Sequence, residues 1–133
     1  MTVQDSIKVL CVDDSPGILR LLAKIVDREP DMHTVGWLDR ADGLSQAVER
    51  LAPDVVLLDL TMPGRNPLDA LRELAGGCHA PPVIVFSGHD DPDLIDTAMA
   101  SGARGFLVKD GSIDPVLTTI RRVAAGEVCR KTA

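Results

Sequence analysis

Two hydrophobic rhythms alternate along this chain. Apolar runs at 7–12, 33–38, 54–59, 82–86 and 104–108 are short and nearly unbroken, and they predict strands. Between them, apolar positions return every three to four residues and predict helices over 16–28, 41–51, 67 to about 75, 92–101 and 113–125. The first helix would turn Ile18, Leu21, Leu22 and Ile25 inward, and the second Leu44, Ala47, Val48 and Leu51. The last would bury Ile113, Val116, Leu117, Ile120 and Val123. The first, third and fourth strands read apolar throughout, as strands covered on both sides should. Strict βα alternation predicts a parallel sheet with right-handed crossovers and helices on both faces, an α/β fold.

The punctuation of the chain agrees with these boundaries. Ser15-Pro16, Asn66-Pro67 and Asp91-Pro92 each pair a good N-cap with proline at the first helical position. Ser112 is expected to cap the last helix, leaving Pro115 in its first turn, where a missing N–H does no harm. Gly76-Gly77 and Gly102 are expected helix ends. No repeat or low-complexity segment interrupts the series. Residues 128–133 carry no packing pattern, and 127–133 read as a tail or the start of a linker after a core of about 6–126.

Composition narrows the function. A chain of 133 residues with 45% apolar content is expected to form one domain, 1–133, and its 2% aromatic content makes the core aliphatic. A net charge of −6 argues against direct contact with nucleic acid. The sequence contains no run of 18 apolar residues and no signal-like N-terminus, so neither a membrane partner nor export is expected and the chain reads as cytoplasmic. Cys11, Cys78 and Cys129 lack metal or disulfide spacing, and Cys11 lies in an apolar strand as a core residue. His33, His79 and His89 are scattered and read as solvated.

The chemistry lies at the strand ends. Asp13 and Asp14 follow the first strand, Asp59 ends the third, Ser87 follows the fourth and Lys109 the fifth. Parallel strands all end at one edge of the sheet, where open α/β sheets place their ligands. Clustered carboxylates repel unless a cation intervenes. Magnesium takes oxygen ligands and one or two carboxylates, so Asp14 and Asp59 are the candidate direct ligands, with Asp13 acting through water. A neutralised Asp59 could act as nucleophile toward a phosphoryl group, with Lys109 balancing charge and the Ser87 hydroxyl bonding a phosphoryl oxygen. Gly88 would leave room for the incoming group. Each residue also has a plainer role. Asp13 or Asp14 could cap a helix, Asp59 could open a turn with Met62-Pro63-Gly64, Ser87-Gly88 could be turn chemistry, and Lys109 could be merely solvated.

The combination of Val-Asp-Asp at 12–14, Leu-Leu-Asp-Leu-Thr-Met-Pro-Gly at 57–64, Phe-Ser-Gly at 86–88 and Gly-Ala-Arg-Gly-Phe-Leu-Val-Lys-Asp at 102–110 resembles the response-regulator receiver domain of two-component signalling. The resemblance runs from about Ile7 to Gly126. It implies a doubly wound (βα)5 flavodoxin-like fold with a five-stranded sheet in order 2-1-3-4-5. It implies that Asp59 is the phosphoacceptor, Asp13 and Asp14 the acidic pair, Lys109 the phosphate-contacting lysine and Ser87 the switch hydroxyl. The Thr61 backbone carbonyl is the implied further ligand to Mg2+, and Phe106 the switch aromatic, although a plain core role for Phe106 stays open. A sensor histidine kinase is the implied partner, and a homodimer could form on phosphorylation. Thr61 and His89 occupy positions that tune dephosphorylation in the family. Asn66-Pro67 departs from the family's usual Asp-Gly and stiffens the start of the third helix.

Other classes fit less well. A phosphatase of the haloacid-dehalogenase type would want an aspartate where Thr61 stands. A flavin carrier would want a hydroxyl-rich, glycine-rich phosphate loop and aromatics to sandwich the flavin, where Trp37 is the only indole. The dinucleotide-binding Gly-x-Gly-x-x-Gly is absent after the first strand. The chain is therefore expected to be a signalling switch, not an enzyme acting on a separate substrate. From Lys109 to Glu127 it is similar to the NarL/FixJ group, which implies control of a DNA-binding output domain. A stand-alone regulator acting by phosphorelay or protein contact is the alternative. Leu94, Ile95 and Met99 could supply a contact surface or belong to the core.

Overall fold

Five apolar runs become five parallel strands, and the periodic stretches between them become helices. The computed structural model describes residues 6–130. In chain order the elements are β1 (Ile7–Val12), α1 (Pro16–Asp27), β2 (Met32–Leu38), α2 (Leu44–Leu51), β3 (Val55–Leu58), α3 (Pro67–Ala75), β4 (Val83–Ser87), α4 (Pro92–Ala100), β5 (Gly105–Val108) and α5 (Asp114–Ala124). The sheet order is β2-β1-β3-β4-β5 with every pairing parallel, as expected.

Period-two alternation divides the core into two layers. Leu10, Val12, Val56, Leu58, Val83, Val85 and Phe106 point toward α2, α3 and α4. Val9, Cys11, Val55, Leu57, Ile84, Phe86 and Leu107 point toward α1 and α5. Burial on both faces explains why no polar residue interrupts β3 or the Val83–Phe86 stretch of β4. Full burial of one such aliphatic side chain stabilises by about 1.5–3 kcal/mol. Cys11 is one of them, and burial pushes its thiol pKa up to about 12, with Asp27 and Asp13 adding to the effect. A thiol held protonated in this way is an inert packing residue.

The helix starts are decided one by one. Ser15 Oγ accepts from Ile18 N at 3.3 Å and Asn66 Oδ1 from Leu68 N at 2.9 Å, so both act as N-caps ahead of a proline. Asp91 holds the N-cap position of α4, but its side chain makes no capping hydrogen bond. The expectation for Ser112 needs correction. Ile113 is the N-cap of α5, and the Ser112 amide instead donates to Asp110 Oδ1 at 2.9 Å in an Asx turn. With Ile113 ahead of the helix, its side chain is 43% exposed rather than inward. Leu21 is likewise 43% exposed, because the buried face of α1 runs through Leu22, Ile25 and Val26. The second helix begins at Leu44 and not at 41, since Gly43 at φ +77° is left-handed and stops the helix propagating backward. On α4, Ile95 is buried and Leu94 and Met99 pack against the core, so these residues are mainly core.

The end of the chain is also corrected in part. Residues 128–130 were expected to lack packing, but they run along the free edge of β5. The Cys129 amide donates to the Arg104 carbonyl at 2.8 Å, and the Phe106 amide donates to the Cys129 carbonyl at 3.1 Å. Arg130 pairs with Asp96 on α4. Residues 131–133 of the expected tail lie outside the described residues.

Candidate functional site

The ladder hydrogen bonds of the sheet continue one residue beyond several strands and seat the charged side chains. The Asp13 amide donates to the Leu38 carbonyl at 3.0 Å, that of Asp59 to Val12 at 2.9 Å and that of Lys109 to Ser87 at 2.8 Å. Each site residue is thus fixed at the C-terminal edge by its neighbouring strand. Asp13 continues the alternation of Val9 and Cys11, Asp59 that of Val55 and Leu57, and Lys109 that of Leu107, all on the α1/α5 side. Residues far apart in sequence converge because the strands are parallel and in register.

Three carboxylates and one ammonium meet there. One carboxylate oxygen from each of Asp13, Asp14 and Asp59 lies within 4.8 Å of the others. Lys109 Nζ is 2.7 Å from Asp13 Oδ2 and 3.2 Å from Asp59 Oδ1. Asp13 and Asp59 are only 1% and 3% exposed, whereas Asp14 is open to solvent. Asp13 Oδ1 accepts from the Ser15 amide at 2.9 Å. Asp13 Oδ2 is buried and pairs with the Lys109 ammonium. Asp59 Oδ1 accepts from the Thr61 amide at 3.2 Å. Burial raises the Asp59 carboxyl pKa above its usual value, against the Thr61 hydrogen bond and the Lys109 charge, which lower it, while Asp13 adds to the rise.

The plainer roles are now separable. Ser15, not Asp13 or Asp14, caps α1. Asp59 does open a turn through Thr61, but its burial between a lysine and two carboxylates exceeds what a turn requires. That turn carries its own constraint at Gly64, where φ is +88° and a Cβ would lie 2.4 Å from Asp42 Oδ1. The same Asp42 oxygen accepts from the Arg65 amide at 2.9 Å, so the loop after Asp59 is tied to the loop after β2. Lys109 is two-thirds or more shielded and doubly paired rather than merely solvated.

Ser87 and Phe106 belong to the other face of the sheet. Ser87 continues the alternation of Val83 and Val85, and Phe106 pairs in register with Val85. Ser87 is buried, and its Oγ accepts from the His89 amide at 3.1 Å. Phe106 is 3% exposed and packs among the residues facing α4. A Cβ added at Gly88 would meet nothing within 4 Å, consistent with room beside Ser87. His33, His79 and His89 are all exposed. One contact escaped sequence reading: Lys109 Nζ stands 5.5 Å from the centroid of the Phe86 ring. Phe86 and Lys109 share a sheet face, a fact visible only once β4 and β5 are known to pair.

The donor set fits a hard divalent cation. It is all oxygen, it carries more negative than positive charge, and two of its three carboxylates are buried. Among the described residues, no helix is long and apolar enough to cross a membrane.

Comparison with known proteins agrees with this geometry. Residues 9–121 match the response regulator receiver domain family. The nitrate/nitrite response regulator protein NarL of Escherichia coli K12 is 32% identical over 128 residues, spanning 96% of this chain and 59% of that protein. Its homologue in Haemophilus influenzae is 34% identical over 127 residues, or 95% of this chain and 61% of the relative. The chain thus spans about three-fifths of the length of these relatives. Among solved structures, the signal receiver domain of the NarL-type response regulator of Mycobacterium tuberculosis superposes with a TM-score of 0.87 at 25% identity, covering 92% of this chain and 99% of that one. The response regulator domain of Thermotoga maritima CheB gives 0.84 at 27% identity, covering 92% and 98%. With its fold, its strand-end aspartates and its relatives in agreement, the chain belongs to the response regulator receiver domain family.

Proposed function

We propose that this receiver is switched by phosphorylation of Asp59, and that a sensor histidine kinase supplies the phosphoryl group. The observation that supports this best is the placement of Asp59: buried, 3.2 Å from Lys109 Nζ and clustered with the oxygens of Asp13 and Asp14. In this reading Mg2+ is held by Asp14, Asp59 and the Thr61 carbonyl, with Asp13 acting through water. The cation would supply charge neutralisation to the carboxylates and the phosphoryl oxygens.

The protein's own groups then divide the work. The free Asp59 carboxylate oxygen attacks phosphorus, the new O–P bond forms, and the phosphorus–nitrogen bond of the phosphohistidine breaks. Lys109 lies close enough to follow the charge as it moves from carboxylate to phosphoryl oxygens. Ser87, now accepting from the His89 amide, would turn its hydroxyl to donate to a phosphoryl oxygen. Phe106, diagonal to Ser87 on the same sheet face, would couple that movement to the α4-β5-α5 surface. Hydrolysis of the aspartyl phosphate resets the domain, so the chemistry is autocatalytic and no separate substrate is turned over. Exposed His89 and Thr61 stand at the positions that tune dephosphorylation in the family and would bear on the lifetime of the phosphorylated state.

The output we assign is control of a DNA-binding domain outside this sequence, in a cytoplasmic regulator that dimerises on phosphorylation. The matched relatives named as transcriptional regulators support it, among them LiaR of Bacillus subtilis, 31% identical over 122 residues. A stand-alone regulator acting by phosphorelay or protein contact is the alternative; the full open reading frame separates the two. Intact mass after treatment with acetyl phosphate and Mg2+ tests the switch itself. One phosphoryl adduct is expected, absent without Mg2+ and absent in Asp59→Asn. An adduct that persists in Asp59→Asn, or none on the wild-type chain with Mg2+ bound, would overturn the proposal.

A further inference from the structure

We infer that Phe86 is a positioning residue for phosphoryl transfer, holding the Lys109 ammonium over the carboxylates with the face of its ring. The inference rests on the proposed chemistry at Asp59. Phe86 ends the apolar part of β4 one residue before Ser87, and it pairs in register with Leu107. Alternation places Lys109 on the same face as Leu107, so its methylene stem runs across the Phe86 side of the sheet. The ammonium ends 5.5 Å from the ring centroid while reaching 2.7 Å to Asp13 and 3.2 Å to Asp59. That separation is within the range in which an aromatic face attracts a cation.

The geometry solves a positional problem. Lysine is a flexible point charge with four rotatable bonds, and two carboxylates on one side would draw it toward whichever is nearer. The shorter contact is to Asp13, not to the proposed nucleophile. A ring beside the ammonium opposes collapse onto Asp13 and leaves the charge poised for phosphoryl oxygens at Asp59. Phe86 is itself buried among α1 and α5 residues, so the ring cannot swing away. An aliphatic residue there would fill the space but supply no attraction.

Three variants separate this role from packing: Phe86→Leu, Phe86→Trp, and a ring-fluorinated phenylalanine replacing Phe86. Fluorination keeps the shape of the ring and removes the negative potential of its face. Two readouts are taken on each, the rate of acetyl phosphate labelling and the NMR order of the Lys109 ε-methylene without Mg2+. The expected result is labelling slowed by about fivefold in the Leu and fluorinated forms and restored in Trp, with Lys109 more mobile wherever labelling slows. Unchanged labelling and unchanged Lys109 order in the fluorinated form would overturn the inference. If the wild-type chain takes no phosphoryl group, the proposed function fails, and equal Lys109 order across all forms would then separately remove the role of Phe86.

Discussion

Asp59 sits in a conflict that its neighbours do not fully relieve. Burial raises its carboxyl pKa, and the Thr61 amide and Lys109 offset only part of the rise. Between the unfolded value of about 4 and the raised folded value, the folded chain keeps its proton longer than the unfolded chain. Stability therefore falls as pH rises through that window and stays lower above it. Replacing Asp59 with asparagine removes the penalty while keeping the shape. Thermal unfolding without divalent cation should show Asp59→Asn melting higher than wild type at neutral pH, with the difference vanishing below about pH 4. A lower melting temperature for the variant at neutral pH would refute this account of the site. Asp13 shows the same economy of residues: one oxygen shapes the turn into α1, and the other holds the Lys109 ammonium. Both aspartates and Lys109 could be picked out from sequence, because each has a plainer role alone but together they fall at the ends of successive strands of one parallel sheet. Phe86 could not, since an aromatic inside an apolar strand looks like any other core residue until its partner across the sheet is known.

The elements show where local rules were enough and where they failed. Ser15-Pro16 and Asn66-Pro67 start α1 and α3 where capping chemistry places them, because an N-cap acts on amides within its own turn. Ser112 failed because the helix starts one residue later: the Ile113 carbonyl accepts from the Val116 and Leu117 amides, and no side chain caps the end. Leu21 was misassigned because a helix offers apolar residues at i+3 and i+4 alike, and only the angle of α1 on the sheet selects Leu22. The pairing of Cys129 with β5 had no apolar pattern to betray it, since an added edge strand is held by backbone hydrogen bonds. That pairing has a measurable consequence. Ending the chain at Gly126 should speed hydrogen exchange of the Phe106 amide by about tenfold, the equivalent of one net hydrogen bond. Amides of β1, at the far side of β3, should keep their protection. An unchanged Phe106 amide would mean that the segment does not cover the β5 edge in solution.

At the scale of the molecule, one arginine ties α5 to the turn between α1 and β2. Arg121 Nε lies 2.8 Å from Asp31 Oδ2, and its terminal nitrogen 2.6 Å from Glu29 Oε1. The hydrogen bond from Arg121 holds the Asp31 carboxyl below its ordinary pKa. A carboxyl lowered in the folded state contributes stability above its unfolded value, and loses it as pH falls through the folded one. Arg121→Met should therefore melt below wild type at neutral pH, and the gap should close on acidification below about pH 4. A gap independent of pH would assign the loss to packing of the arginine stem. The contact lies at the N-terminal edge of the sheet, where the Ile7 amide donates to the Asp31 carbonyl, at the end opposite the strand-end aspartates, so phosphotransfer chemistry should survive the substitution.

The sequence by itself determined the fold class, the order of elements and most of the charged site. Hydrophobic periodicity reports which face of each element is buried, and parallel strands must end at one edge. Tertiary structure alone decided the rest: which carboxylate Lys109 approaches most closely, that Phe86 lies beside it, that Ser87 and Phe106 share the opposite face, and that residues 128–130 line the β5 edge. Each of these depends on register and distance between segments remote in the chain. Short-range spacing carries no record of either.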